Sequence, residues 1–270
     1  GTHAYGFIGT IGVENVRRYS SEAYPGWNTD IPDQVRADVF IKEFGELDAA
    51  GTVPNFVTIY LPQDHTMGVS PGGPTPRACV ADNDYALGRI VEAISHSKAW
   101  GSTCIFVIED DPQDGWDHVD GHRSIAQVIS PYSRRGAVVS DFYTQASVVH
   151  TILRMFNLNA MNQLTAAAPL MTRCLYSSAD LANPAAFTAI PPTIPLDELS
   201  PPKKAAAECE QRLYELTEEM DLGLAGLDLR FSPDGRVYCF EVNPSPAYSV
   251  FESATGQQIS HAIALHLAGL

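Results

Sequence analysis

Glu109, Asp110 and Asp111 stand together at the end of an apolar run, and Asp114, Asp117, His118, Asp120 and His122 follow closely. Carboxylates packed that densely repel one another as bare anions. A divalent cation is the simplest way to hold them at close range, since carboxylate oxygen and imidazole nitrogen are ordinary metal donors. A shorter group, Gln63, Asp64, His65 and Thr66, has the same character. The plain alternative for the longer group is a solvated acidic loop after a core strand. A third group, Asp228, Glu241 and Asn243, falls on a pattern that reads as a β-hairpin. A four-residue turn over 233–236 would set Asp228 opposite Glu241, with side chains about 4.5–5.5 Å apart, where like charges destabilise unless a cation is shared. A three-residue turn slips that register by one, and a surface hairpin with scattered charges is the alternative there.

These groups need elements to place them. The run from Cys104 to Ile108 reads as a buried strand that Pro112 and Gly115 lead out of the sheet. Phe56 to Leu61 reads as a second buried strand, ending at the Asp64 group. Between them, Asp82, Asn83 and Asp84 open a helix running to about Trp100, with Leu87, Ile90, Val91 and Ile94 on one face. Strand, helix and strand make a βαβ unit, whose strands should run parallel and bring both groups to one sheet edge. In such sheets ligands bind at the carboxyl ends of the strands.

Around that unit, Asp33 to Leu47 carries a helical stripe of Val35, Val39, Phe40 and Phe44. Ile125 to Ile129 reads as a short strand, and Val148, Val149, Ile152, Leu153 and Phe156 as an amphipathic helix. Residues 166–202 are rich in Ala and Pro with little pattern, and an acidic helix over Glu208–Asp221 precedes the hairpin. The fold class expected is α/β, a mainly parallel sheet flanked by helices, followed by a small α+β hairpin-and-helix segment. The division expected is 1–205 and 206–270.

Composition narrows the function classes. The 270 residues carry a formal net charge of −15, which argues against a broad partnership with nucleic acid and suits local cation binding. No apolar run has the length of a membrane span, and the N-terminus shows no basic region followed by an apolar core. The five cysteines, Cys79, Cys104, Cys174, Cys209 and Cys239, lack the paired spacing of a zinc ribbon or redox motif.

Five phrases, Leu61–Thr66, Pro71–Pro76, Val80–Asp84, Ile108–Asp111 and Asp117–Arg123, together resemble the bacterial phosphoesterase family of the alkaline phosphatase superfamily, over about residues 31–199. That group includes acid phosphatase and phospholipase C relatives. The resemblance implies part of an alkaline-phosphatase-like fold, a divalent metal, a small phosphate-ester substrate, and periplasmic or secreted placement. It implies Asp64, Asp110 and Asp111 as metal ligands. His65, His118 and His122 would be catalytic, as further ligands or phosphate contacts. The metal would polarise the phosphoryl oxygen, and the histidines would donate to it or protonate the leaving group. The family's upstream carboxylate and Ser or Thr nucleophile have no counterpart here, so the chain reads as starting after them. Thr66 is the one local hydroxyl, with a loop role as its plainer reading.

Residues 208–270 resemble instead the C-terminal end of an ATP-grasp ligase, through Gly226–Arg230 and Phe240–Pro246. That resemblance implies that Asp228, Glu241 and Asn243 hold Mg-ATP, and a cytoplasmic setting. The readings carried forward are a metal-dependent phosphoric ester hydrolase lacking its upstream half, an ATP-grasp carboxylate–amine ligase remnant, and a non-catalytic module stapled by a metal.

Overall fold

A computed structural model describes residues 14–112, 120, 122–178, 181–201 and 212–220, and the backbone of 226–231 and 237–243. The chain divides into two compact units, Gly1–His65 with Val80–Thr193, and Thr66–Cys79 with Ile194–Leu270. The elements in order are helices α1 (Glu14–Arg17), α2 (Asp33–Ala50) and α3 (Pro76–Ser95), strands β1 (Ile105–Ile108) and β2 (Ala126–Ile129), helices α4 (Gln145–Met155) and α5 (Gln163–Ala167), and strands β3 (Gly226–Phe231) and β4 (Val237–Asn243). A helical stretch over 212–219 precedes β3.

The core of the first unit lies between α2 and α3. Ala37, Phe40 and Phe44 from α2 pack with Ala86, Ile90 and Ile94 from α3 and with Trp100. Ile59, Leu61, Ile105, Ile129 and Phe187 close over this cluster. Both helices present residues three and four apart to the core, the spacing that stacks side chains on one face. α2 ends at Gly51, whose φ of 69° is the left-handed conformation that favours glycine at a helix end. The inner face of α2 also carries Asp33 and Arg36, both fully buried.

α3 differs from its sequence reading at both ends. It begins at Pro76, a residue suited to a first turn, and the Thr75 hydroxyl accepts the Ala78 N–H at 3.2 Å. Asp82, expected to open the helix, therefore sits inside it and is buried. The helix stops at Ser95, and a 3₁₀ turn spans Trp100–Ser102.

The sheet is the main correction. A mainly parallel sheet is absent from the described residues, which hold two separate two-stranded antiparallel sheets, β1 with β2 and β3 with β4. Residues 56–61 join no ladder. Ile59 and Leu61 pack against the core, while Phe56, Val57 and Tyr60 stay exposed. An apolar run of this length fits a buried strand and a surface segment equally well. β1 runs antiparallel to β2, with Ile105 opposite Ile129 and Ile108 opposite Ala126, so no parallel crossover forms between 56–61 and β1.

α4 starts at Thr144, whose side chain and that of Ser147 form a reciprocal capping box. In the second unit, Pro74 bridges Leu199, and Glu198 accepts from Thr75 and pairs with Arg77. In the hairpin Asp228 stands opposite Glu241, and Gly226 opposite Asn243. The route to that register differs from a plain four-residue turn. Phe231 pairs with Val237 and Leu229 with Cys239, and a bulge between Asp228 and Leu229 then shifts the ladder by one.

Candidate functional site

Asp64 and His65 lie on a 3₁₀ turn, Gln63–His65, that follows the stretch 56–61. Asp110 and Asp111 follow β1 directly. The structure brings the two groups within electrostatic reach. The Asp64 carboxyl is held above the usual aspartate range, by desolvation first and then by the negative charges of Glu109 and Asp110. Tyr60 reports the same field: desolvation raises its hydroxyl pKa, and Asp110 and Asp64 raise it further.

Each acid is fixed by its own partners. Glu109 pairs through its backbone N–H with Ile125 O at 3.2 Å, and its Oε2 accepts from Ile125 N at 3.3 Å. The Asp110 carbonyl accepts from Gln145 Nε2 at 2.6 Å, tying the loop after β1 to the first turn of α4. The Asp111 N–H donates to Asp110 Oδ1 at 3.1 Å. On the other side, Asn83 Nδ2 donates to Leu61 O at 2.9 Å and Asp33 Oδ2 at 3.0 Å, and reaches Asp64 Oδ1 at 3.5 Å.

Behind this turn lies a buried polar network that periodicity did not disclose. Arg36 has five N–H groups and five contacts: the carbonyls of Pro25, Gly26, Asn28 and Ile31, and Asp33 Oδ1 at 3.1 Å. Gln63 Nε2 donates to Thr29 O and Ile31 O, and Gln63 N donates to Asp33 Oδ2 at 3.0 Å. Asp82 accepts the Asp33 N–H. Of the two buried acids, Asp33 pairs with the guanidinium, and Asp82 is tied to it only through the Asp33 N–H. Burial pushes the Asp33 carboxyl up to about 6, ahead of the Gln63 N–H, Arg36 and Asn83, which pull it down. Asp82 is raised for the same first reason. The network clamps the 25–31 loop onto the turn carrying Asp64 and His65, and the loop presents Trp27 to His65 edge to face, with ring centroids 4.9 Å apart.

The remaining expected residues are placed as follows. His122 is almost wholly exposed and pairs with Asp120 at 3.1 Å. His118 lies outside the described residues. Asp228 and Glu241 occupy opposed register positions in the second unit, with Asn243 at the strand end. Sequence reasoning passed over Trp27, Tyr60 and Asn83. The glycine and proline around Trp27 mark only a loop, and Asn83 looked like part of a helix start.

Carboxylates of this kind suit a hard, oxygen-seeking cation, and like-charge coupling between Asp64, Glu109 and Asp110 is what such a cation would relieve. Among the described residues no three His, Cys, Asp or Glu side chains already converge as a metal ligand set. No described helix is long and apolar enough to cross a membrane.

Comparison with curated proteins and with solved structures yields no match. The ATP-grasp resemblance of residues 208–270 finds no support in the comparisons. The family model for the phosphoesterase family matches residues 19–159, just over half of the chain. The matched span takes in the loop of Trp27, the Arg36 network, the Asp64–His65 turn and the Asp110–Asp111 loop. The chain belongs to the phosphoesterase family.

Proposed function

We propose that the chain is a metal-dependent phosphoric ester hydrolase acting on small phosphate esters, with Asp64, Asp110 and Asp111 as metal ligands. The observation that carries this reading is the match of residues 19–159 to the phosphoesterase family model; within that span desolvation, and then the charges of Glu109 and Asp110, hold the Asp64 carboxyl above its usual range. Bound there, a divalent cation would polarise the phosphoryl oxygen and offset its charge. His65, beside Asp64 and in edge-to-face contact with Trp27, would donate to a phosphoryl oxygen or leaving group. Gln145 ties the Asp110 loop to α4, and Asn83 ties the Asp64 turn to α3. His118 and His122 enter this reading through the family resemblance alone.

Purified chain should release phosphate from an aryl phosphate ester when Mg²⁺, Mn²⁺, Ca²⁺ or Zn²⁺ is added, and Asp110→Ala should abolish that release. Absence of turnover with all four ions would sink the hydrolase reading. A metal-dependent rise in melting temperature without turnover would point to a non-catalytic, metal-stapled module.

The hairpin supports a second reading, carried by the register that sets Asp228 opposite Glu241. These residues, with Asn243, would hold Mg-ATP. Calorimetry that finds no ATP·Mg²⁺ binding, or binding unchanged in Glu241→Ala, removes it.

A further inference from the structure

Trp27 and Tyr60 lie outside the expected ligand set, yet their rings stack on one another at the edge of the acidic cluster. Their rings are near-parallel, with centroids 6.0 Å apart and an interplanar angle of 28°. His65 meets Trp27 at right angles. Both rings stay open to solvent, Trp27 at 52% and Tyr60 at 46%. Surface loops usually leave such side chains free to move, but here the backbone on both sides is fixed. Arg36 holds the carbonyls on either side of Trp27, Gln63 ties the same loop to the Asp64–His65 turn, and the Tyr24 hydroxyl donates to Tyr60 O at 2.8 Å.

A rigid, exposed pair of aromatic faces is a pre-organised binding surface, since little ordering entropy is lost when a ligand covers it. Flat rings stack on such faces in offset geometry. The neighbouring Asp64, Glu109 and Asp110 disfavour further negative charge on the part of the ligand that lies there. We propose that Trp27 and Tyr60 form a stacking subsite for the neutral, planar leaving group of an aryl phosphate ester, with the phosphoryl group directed to His65 and Asp64. The inference rests on the reading of the Asp64–Asp110 cluster as a phosphoesterase site, and its tests separate the two.

The measurement is kcat/KM of the full chain with added divalent metal for 4-nitrophenyl phosphate, glycerol phosphate and aminoethyl phosphate. Comparing ratios between variants cancels the intrinsic reactivity of each leaving group. In Trp27→Leu and in Tyr60→Leu the aryl-to-glycerol ratio should fall about 10-fold, mostly through KM, as expected for loss of one stacked ring. Trp27→Phe should restore most of it. Ratios within two-fold of the parent would overturn the subsite while leaving the hydrolase intact. Selective loss of aminoethyl phosphate turnover would overturn it too, in favour of an ammonium-binding surface. If the parent hydrolyses none of the three esters, calorimetric binding of phenylphosphonate against methylphosphonate decides independently of catalysis. A preference for the phenyl compound that Trp27→Leu abolishes supports stacking, and no preference refutes it.

Discussion

Arg36→Met should be among the most damaging single changes in the first unit, and its magnitude follows from the contacts. The guanidinium is fully buried and every one of its N–H groups has an acceptor, four of them backbone carbonyls in the 25–31 loop. Methionine fills much of the volume, so packing loss is small, but it removes the donor to the carbonyls of Pro25, Gly26 and Asn28 and to Asp33 Oδ1, and leaves the Asp33 carboxylate with only the neutral donors Gln63 N and Asn83 Nδ2. Removing one partner of a buried ion pair costs about 3–5 kcal/mol, mainly because the other charge remains buried and uncompensated. With a urea slope of about 1–3 kcal/mol per molar, that shifts the unfolding midpoint by about 1–5 M. Two further variants locate the cause. Arg36→Lys supplies at most three donors from one point, so it should recover only part of the loss. Arg36→Met combined with Asp33→Asn removes the stranded charge and should be more stable than Arg36→Met alone. Urea unfolding followed by tryptophan fluorescence measures all three. An Arg36→Met midpoint close to the parent's would refute the clamp, and an unhelpful second substitution would refute Asp33 as its charged partner.

The same network implies a pH dependence. The Asp33 carboxyl titrates near 6 in the folded chain against an ordinary 3.8, so the folded state holds a proton that the unfolded state has released between those values. Stability is therefore fullest below 3.8 and falls by about 1.4 kcal/mol per pH unit up to about 6. Asp33→Asn should remove that slope from urea midpoints measured across the window, and identical slopes in the two proteins would rule out Asp33 as the group responsible. Tyr60 offers a reading of the acidic cluster without turnover. Because Asp110 and Asp64 raise its hydroxyl pKa, a cation bound to them should shift its ionisation to lower pH, visible by ultraviolet titration of the parent against Tyr60→Phe. A Tyr60 titration indifferent to divalent metal would argue that no cation settles beside it.

Helices, strands and the hairpin were largely legible because their signals are local. The stripe of Phe40 and Phe44, the run Ile105 to Ile108 and the antiparallel pairing of the last two strands each follow from local spacing. The sheet was not, because pairing is a long-range choice that an apolar run does not encode. The hairpin shows how a right position can arise from an incomplete account. Asp228 does face Glu241, but the turn alone would have misaligned them, and the bulge that corrects the register has no marker in the residue types.

The site teaches a stronger version of the same point. Sequence reasoning joined Asp64 to Asp110 through a parallel crossover, and the described strands contain none. What fixes each of them is polar: Asn83 reaches Leu61, Asp33 and Asp64 from α3, and Gln145 reaches Asp110 from α4. Asp33 and Arg36 resemble any exposed i, i+3 ion pair on a helix, and only burial distinguishes a clamp from surface decoration. The proposed site depends on the hydrogen bonds behind its acids as much as on the acids. Its specificity should then reside in the loop those bonds hold, which is where Trp27 stands.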